Sequence, residues 1–466
     1  MIPSSSLDRG DTGPVQGMGI THPQSRLEAC STIGHRPLWR RASRPPQTIS
    51  IMVLAMLLVW QTSVFADDTE IGIGGRISPQ VAVTSYPNNS VFSEVFGTSS
   101  IDSAFDARVV FGLKHKNFSL NADYQFIGVY ADRLELTREL PPELRVLFRH
   151  LPTDRTRLFD LTHVFTDSGK TAALQRLDRL SVGFVTDHVV MKFGRQAITW
   201  GNGLIFNVMD IFNPFDPAAV DKEYKTGDDM IYGQYLQNNG NDLQGVMVFR
   251  RNPISEDVES DQGSLAFKYH HMGSSYEIDA LAAQHYGDTL LGAGFNLSVG
   301  GAVVRGDLVI ADTDDGVIPS LVSSFSQSWV WGGKNVSGVS EYFYNGFGQT
   351  DGCYSPVCLA DNPELYKRIA RGELFNLGRH YLALSVMIEI SPLFLLTPNL
   401  FINLQDPSAM AQLVFQNDLH ENLLLWSAVN FPLGADGTEF GGAASAIPEL
   451  YLSAGPSVSV QLVWYW

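Results

Sequence analysis

Charged, amide and aromatic side chains are concentrated between Gly194 and Asp229. The charged residues of this stretch include Arg195, Asp210, Asp216, Asp221, Lys222, Lys225, Asp228 and Asp229. The amides include Gln196, Asn207 and Asn213, and the aromatic residues are Trp200, Phe206, Phe212, Phe215 and Tyr224. Opposed charges across a narrow passage set a transverse field that filters solutes by charge and dipole. Aromatic rings beside them offer flat faces for sugars and other amphipathic solutes.

The strongest interpretation places these groups at a constriction, with Arg195 facing the Asp210–Asp229 region across the passage. A simpler interpretation is that Arg195 pairs with an aspartate and pins the segment, and that the aromatic rings are the small core of that segment. For any one residue the simpler interpretation is favoured, because ion pairs between neighbouring side chains are common. The two interpretations differ in whether the side chains remain accessible to a solute.

Motifs for enzyme chemistry are absent from the sequence. There is no G-x-S-x-G elbow, no H-E-x-x-H pair and no glycine loop followed by Lys-Ser/Thr at the spacing of a phosphate loop. His270, His271 and His380 have no Cys, Asp or Glu at metal-ligand spacing. The sequence therefore predicts no catalytic residue, no metal site and no cofactor.

The segment from Trp200 to Asp229 is apolar, although Asn207, Asn213, Pro214 and Pro217 interrupt it. A connection this apolar is unfavourable in water, because loops normally lie on the solvated surface. Inside a barrel it can pack on the wall and narrow the lumen. We therefore expect it to fold inward.

The last ten residues, SVSVQLVWYW, alternate between apolar and polar, and Val463 is the only apolar residue on the polar face. Val458, Val460, Leu462, Trp464 and Trp466 share one face of a strand, since side chains in a strand alternate with a period of two. A transmembrane barrel strand has this pattern, because one face meets lipid, the other meets a polar lumen, and aromatic rings lie at the boundary with water. A strand of a soluble sandwich is the alternative.

Similar alternation recurs along the chain and predicts about 18 strands, each near the ten residues expected for such barrels. The predicted strands are 71–84, 105–114, 117–130, 180–184, 189–199, 230–237, 243–250, 264–271, 276–284, 290–298, 302–311, 323–330, 340–344, 381–390, 394–403, 409–416, 423–430 and 451–466. If residues 131–177 form one long connection between two strands, long connections alternate with short ones along the chain. Leu158–Phe165 has strand character, so the count has a range of 16–20. Thr137–Arg149 predicts a short helix in that excursion.

The long connections predicted on one side include 201–229, 252–263, 313–321, 348–377 and 434–447. Cys353 and Cys358 lie in the fourth of these. Two cysteines five positions apart, with no histidine nearby, predict a small loop disulfide rather than a metal site.

The first 66 residues have the features of a leader and signal peptide. Four arginines precede the apolar run Ile51–Trp60, and Val64-Phe65-Ala66 places small residues where a signal peptidase cleaves. The apolar run covers about 15 Å as a helix, which is half of a bilayer core. We therefore predict a leader over 1–66 and a single domain over 67–466.

The composition is typical of an exported protein whose strands form the wall of a membrane barrel. Charged residues make up 17% of the chain, below the roughly 25% typical of soluble domains. Residues 1–66 hold 6 of the 32 basic and 3 of the 49 acidic residues, which leaves a net charge of −20 for residues 67–466. This balance argues against nucleic acid, whose recognition needs a basic surface.

The aromatic terminus at Trp464 and Trp466 resembles that of Gram-negative outer-membrane β-barrels, whose last strand ends in an aromatic residue read by the barrel-assembly machinery. Gly194-Arg195-Gln196, Trp200-Gly201 and Asn213-Pro214-Phe215-Asp216 resemble a strand end and loop of porin-like barrels, including alginate-export-type channels and uncharacterised proteobacterial barrels. The resemblance covers about thirty residues closely and the rest only in architecture.

The resemblance implies an all-β transmembrane antiparallel barrel in the Gram-negative outer membrane, with a lumen-inserted loop. It implies a channel and no particular substrate. We expect passive passage of small or medium-sized hydrophilic solutes, with the inserted loop as the filter, in a barrel in contact with lipid and lipopolysaccharide. The alternatives are an export or assembly conduit with periplasmic partners, and a hydrolase that uses the barrel as a membrane scaffold.

Overall fold

The computed structural model describes residues 68–140 and 151–466. Their helices are short: α1 (Val91–Phe96), α2 (Asp132–Glu139), α3 (Pro356–Ala360) and α4 (Pro363–Ala370). Their strands are β1 (Thr69–Ser85), β2 (Ser99–His115), β3 (Phe118–Ala131), β4 (Thr162–Ser168), β5 (Thr171–Val185), β6 (Val189–Gln196), β7 (Asp228–Leu236), β8 (Asp242–Val248), β9 (Ser264–Met272), β10 (Tyr276–His285), β11 (Asp288–Val299), β12 (Ala302–Thr313), β13 (Gly316–Trp331), β14 (Lys334–Tyr344), β15 (His380–Ser391), β16 (Phe394–Asn403), β17 (Ser408–His420), β18 (Leu423–Leu433), β19 (Ala443–Ala444), β20 (Tyr451–Leu452) and β21 (Ser457–Tyr465).

Within the described residues, eighteen strands close into one antiparallel barrel. From β5 to β18 each strand pairs with the next, β3 pairs with β5, and β21 pairs with both β18 and β1. The closing register runs from Arg76 opposite Tyr465 to Thr84 opposite Ser457. The predicted all-β barrel of about 18 strands is confirmed.

Three strands do not belong to the closed ring. β4 pairs with the first half of β5, whereas β6 pairs with its second half, so β4 extends the wall without adding to the count. β19 and β20 form a separate hairpin, and the final barrel strand therefore starts at Ser457 and not at Tyr451 as predicted. Leu158–Phe165 contains the start of β4. The strand character of this stretch is the reason that the predicted number of barrel strands had a range.

The two faces of the wall differ in chemistry. On β1, Ile71, Ile73, Val81 and Val83 are exposed, whereas the alternate side chains of Arg76 and Ser78 are buried. The same alternation continues along β10 and β12. Because successive strand side chains point to opposite faces, the apolar set lies outside the barrel and the charged set inside.

The two ends of the barrel carry different connections. The terminal end holds both described chain ends, and its turns between strands are two to five residues long. The opposite end, which we call the loop end, holds the long connections, including 132–170, 197–227, 345–379 and 434–456. The predicted long connection over Thr313–Leu321 is wrong, because β12 and β13 are joined by Asp314 and Asp315 alone, followed by Gly316 at φ 113°.

The excursion between β3 and β5 begins with α2, which covers 132–139. The predicted helix over Thr137–Arg149 overlaps it only at its start, and residues 141–150 lie outside the described residues. The predicted leader over 1–66 also lies outside them. In the part of the chain that is described, no helix combines the length and hydropathy needed to cross a membrane. Cys353 and Cys358 form a disulfide beside α3.

The barrel seam extends to the last residue. Trp466 exchanges two backbone hydrogen bonds with Gly75, at 3.2 Å each. A Cβ atom on Gly75 would lie 2.4 Å from the Trp466 indole, so only glycine leaves room for that ring. The Trp464 and Trp466 rings lie 5.5 Å apart and remain partly exposed.

Candidate functional site

Residues 197–227, which connect β6 to β7, follow the inner wall of the barrel. We call them the 197–227 segment. Trp200 Nε1 donates to Gln244 on β8 at 2.7 Å, and Asn202 N donates to Asp307 on β12 at 2.6 Å. Phe206 N then donates to Glu341 on β14 at 2.5 Å. The first part of the segment therefore crosses one side of the wall, from strand to strand.

The remainder of the segment continues in the same direction. Gln412 on β17 donates to the carbonyl of Ala218 at 3.0 Å, and Gln461 on β21 donates to Asp221 at 3.0 Å. Arg179 on β5 donates to the carbonyl of Lys225. The segment thus contacts the wall from β8 round to β5, and its backbone runs along the wall as a ring.

Two buried carboxylates hold the start of the ring without a cation partner. Glu341 accepts hydrogen bonds from the backbone N–H groups of Leu204, Ile205 and Phe206 at 2.5–3.0 Å. Asp307 accepts from Asn202 and Gly203. Each carboxylate accepts several hydrogen bonds from the loop, so polar backbone atoms that the segment buries have partners.

Asp210 and Lys225 form an ion pair inside the segment. Lys225 Nζ lies 2.5 and 2.6 Å from the two Asp210 oxygens and also donates to the carbonyl of Ile198. Burial raises the pKa of Asp210 to about 6, although Lys225 opposes the shift. Burial lowers the pKa of Lys225, against the effect of Asp210. This pair joins the beginning, middle and end of the segment.

The far side of the segment docks on arginines of the first two strands. Tyr224 lies between Arg76 and Arg108, whose guanidinium carbons are 4.7 and 4.1 Å from its ring centroid. Arg76 also pairs with Asp221 at 2.9 Å and Glu223 at 2.8 Å. Burial acts to raise the pKa of Asp221, but Arg76, together with hydrogen bonds from the Glu223 N–H and Gln461, holds that pKa below its usual range. Tyr465 donates to Glu223, which brings β21 to the same site.

Arg195 lies where the segment leaves the wall, and it does not face the segment across an open space. Its guanidinium is 1% exposed and binds both oxygens of Asp229 on β7, at 2.9 and 3.0 Å. It also binds Asp154 at 3.0 Å. The simpler interpretation, an arginine paired with an aspartate to pin the segment, describes its contacts.

Other predicted residues also have structural partners. Asp228 binds Arg250 at 2.6 Å, Asn213 donates to Asp228 at 3.3 Å, and Gln196 is buried at the end of β6. Trp200 and Phe212 belong to the core between the segment and the wall. The predicted aromatic track is therefore not accessible as a whole. Of the predicted residues, Asp216 and Lys222 are exposed and Phe215 is half-buried.

Several partners were missed by sequence reasoning. Asp154 binds both Arg195 and Arg157, yet it lies in a connection forty residues away. Burial acts to raise the pKa of Asp154, but the two arginines outweigh it and hold that pKa below its usual range. Arg76, Arg108 and Glu341 had a usable signal, because each is a charge at an inward position of an alternating strand.

A chamber of about 810 Å³, including its open mouth, lies between the segment, the wall and the connection 345–379. Phe206 and Phe215 contribute from the segment and Phe343 from β14. Phe347 and Phe375 contribute from the connection. Its walls are predominantly aromatic and aliphatic.

A buried carboxyl group joins two long connections near the loop end. Glu439, in connection 434–456, accepts from Tyr381 at 2.5 Å, Asn403 at 2.7 Å and Leu377 N at 2.8 Å. Burial raises the pKa of Glu439 to about 7. No group of three or more His, Cys, Asp or Glu side chains suited to a metal ion occurs among residues 68–140 and 151–466.

The fold is similar to that of solved barrels. Acinetobacter baumannii OccAB4 superposes with a TM-score of 0.51 at 8% identity, over 86% of this chain and 99% of the other. Escherichia coli Wzi, described as a carbohydrate-binding outer-membrane β-barrel of capsule assembly, gives 0.48 at 10% identity over 90% and 89%. The anion-selective porin of Comamonas acidovorans gives 0.38 at 11% identity over 85% and 100%. At these identities the likeness concerns the fold alone.

No known protein family and no curated protein matches the sequence.

Proposed function

We propose that the chain forms a passive channel of the Gram-negative outer membrane for small and medium-sized hydrophilic solutes, filtered by the 197–227 segment. The observation that carries the proposal is a closed barrel with an apolar outer face, whose polar inner wall is lined by a segment hydrogen-bonded from β8 to β5. A ring against the wall narrows a lumen and fixes which groups a passing solute meets.

The outer face suits lipid. Side chains such as Ile73, Val81, Phe267 and Leu291 are exposed although they are apolar, as expected where hydrocarbon replaces water. The same proposal places lipopolysaccharide at the loop end. It also assigns Trp464 and Trp466 to recognition by the barrel-assembly machinery.

The accessible charges of the segment are the candidates for charge selection. Asp216, Lys222 and Glu223 are exposed, whereas Arg195, Asp210 and Lys225 are buried in ion pairs. A charge beside a narrow aqueous path acts on ions more strongly than one on a solvated rim. Selectivity should therefore depend on the exposed set.

Planar-bilayer recording tests the proposal directly. The purified protein should give steady open steps. Lys222→Glu should shift the reversal potential in a salt gradient toward cation selectivity, because it reverses an exposed charge of the ring. Lys116→Glu, an exposed lysine in the turn between β2 and β3, is the matched control and should leave the reversal potential unchanged. A silent bilayer would contradict the channel, and equal selectivity of both variants would contradict the filter.

A second variant tests the constriction. Residues 207–218 would be replaced by six Gly and Ser residues, which reach about 20 Å when extended, while the anchored residues Phe206 and Asp221 are retained. Lys225→Met would be included so that no buried ammonium loses Asp210. We expect larger conductance and weaker selectivity from a barrel that still folds.

A further inference from the structure

We propose that the chamber beside the ring binds uncharged solutes that carry an aromatic ring and a hydrophilic substituent, such as aryl glycosides. The inference rests on the proposed channel function, because it specifies which of the permeating solutes are retained at this point. It is carried by the composition of the chamber walls and by the pairing of every charged group in its lining.

Aromatic surface comes from three independent elements. Phe206 and Phe343 stack with ring centroids 4.9 Å apart and form the floor. Phe215 lies on the segment side and is half-buried. Phe375, in the opposite connection, is 40% exposed. Aromatic rings prefer offset or edge-on contact with other rings, so a ligand ring between these elements gains both area and geometry.

Aliphatic side chains complete the wall. Leu290, Val309 and Ile318 contribute from neighbouring barrel strands, and Leu374 contributes from the connection. These groups offer no hydrogen bond, which disfavours a fully hydroxylated ligand that would lose its water without replacement. The part of the ligand that enters the chamber is therefore apolar.

The charged groups of the lining already have partners within the protein. Arg368 binds Asp288 at 2.6 Å and Glu364 at 2.5 Å, and it covers the Phe347 ring at 3.7 Å. Asp210 is paired with Lys225.

The remaining lining carboxylate, Glu373, is hydrogen-bonded to the Nε2 atom of His285 at 3.2 Å, and the nearby guanidinium groups of Arg371 and Arg368 stabilise its negative charge. An anionic or cationic ligand would have to displace one of these partners. Displacement leaves a buried charge unpaired, which is costly, and an uncharged ligand avoids that cost.

The hydrophilic part of the ligand has its own place. The chamber is open, and Asn207 and Asn376 contribute amide groups to its lining. A substituent directed through the opening keeps its contact with water or with these amides. An aryl glycoside satisfies both conditions, since its ring can enter the apolar interior while its sugar stays solvated.

Three glycosides test separately the contributions of the aromatic ring and of charge to binding. Phenyl β-glucoside has the ring and no charge, methyl β-glucoside lacks the ring, and phenyl β-glucuronide adds a carboxylate to the ring compound. Isothermal titration calorimetry of the intact protein in detergent should show saturable binding of phenyl β-glucoside. Binding of each of the other two should be at least tenfold weaker. Equal binding of the methyl compound, or tighter binding of the glucuronide, would overturn the proposal.

Variants locate the site. Phe215→Ala should weaken binding of phenyl β-glucoside about tenfold, because one wall of the chamber loses its ring. Leu374→Ala, on the opposite wall, provides a second reading if the first variant does not fold. Phe415→Ala is the control, since Phe415 stacks on Phe394, and the two belong to β17 and β16, neither of which lines the chamber. An unchanged dissociation constant in both chamber variants would overturn the assignment.

Permeation is measured separately. Conductance without any probe tests the channel, and calorimetry tests the chamber, so the two can fail independently. If the bilayer is silent while phenyl β-glucoside binds, the channel proposal fails and the binding site remains. If the channel conducts and the probe does not bind, the chamber proposal alone is wrong.

Discussion

Glu439 is a single carboxyl group on which two connections and two strands converge. It receives hydrogen bonds from Tyr381, Asn403 and Leu377 N, but no cation lies among these partners. Its ionised form is therefore stabilised only by dipoles, and burial keeps its pKa near 7. The packing of the loop end thus depends on the protonation of one residue.

The free energy of unfolding should fall as pH rises toward 7 because of this residue. The folded pKa is raised from about 4.5, so the folded state binds the proton more tightly. Protonation of Glu439 contributes about 3 kcal/mol to the free energy of unfolding. This contribution is fully present below pH 4.5 and is lost as the pH rises through 7. Thermal unfolding in detergent from pH 4.5 to 8 should show this slope, and Glu439→Gln should flatten it. Glu421→Gln, in an exposed turn, should keep it; an unchanged slope in Glu439→Gln would refute the assignment.

Arg195→Glu should destabilise the barrel and not simply change its selectivity. The new carboxylate would lie beside Asp154 and Asp229; Asp229 would lose its cation, and Asp154 would keep only Arg157. Breaking a buried pair in this way costs about 3–5 kcal/mol. The heat-modifiable mobility of the folded barrel on gels measures the loss. Arg155→Glu, an exposed neighbour, should change stability little; a stable Arg195→Glu variant with altered selectivity would instead place Arg195 in the path.

At the scale of elements, the course of the 197–227 segment follows from carboxylates on distant strands. Glu341→Ala should loosen its start, because three backbone N–H groups lose their acceptor. Each buried donor left unsatisfied costs about 1–3 kcal/mol. The expected result is noisier single-channel current and faster limited proteolysis near Leu204. Glu389→Ala, at the terminal end, is the control; quiet channels in both would show that Glu341 does not hold the segment.

The wall elements were predictable because alternation is a local property. Each of the eighteen predicted strands overlaps one strand of the barrel, since an apolar outer face and a polar lumen impose a period of two. The short turn at Asp314 and Asp315 was missed because its flanking strands extend beyond the clearly alternating part. β4 was ambiguous because its pairing with β5 depends on where β6 begins to pair.

The contacts of the site were less predictable, because their partners are far apart in the sequence. The sequence located the segment, yet the partner of Tyr224 is a pair of arginines more than a hundred positions earlier. Whether a lysine such as Lys225 is buried or exposed depends on those tertiary neighbours. Residue type alone therefore identified the groups but did not separate Lys222, which is exposed, from Lys225, which is not.

At the scale of the whole molecule, the barrel depends on one seam between its first and last strands. Gly75→Ala should weaken that seam, because the added Cβ would lie 2.3 Å from the Arg108 carbonyl and 2.4 Å from the Trp466 ring. Gly72→Ala, on the same strand with no atom within 4 Å, is the matched control. We expect a lower folded yield and thermal midpoint for Gly75→Ala only. Equal behaviour of the two variants would show that the seam tolerates the extra atom.

The contacts of the 197–227 segment also set the order in which the barrel closes and its lining takes its final position. Asp221 is hydrogen-bonded to Gln461, 240 positions later, and Glu223 to Tyr465, 242 positions later. Both partners belong to β21, the strand that closes the ring by pairing with β1 and β18. It follows that the lining of the passage reaches its final position only after the circle of strands is complete. A barrel halted before that step would lack two of these holding contacts, so its passage would be wider and less selective than that of the finished molecule.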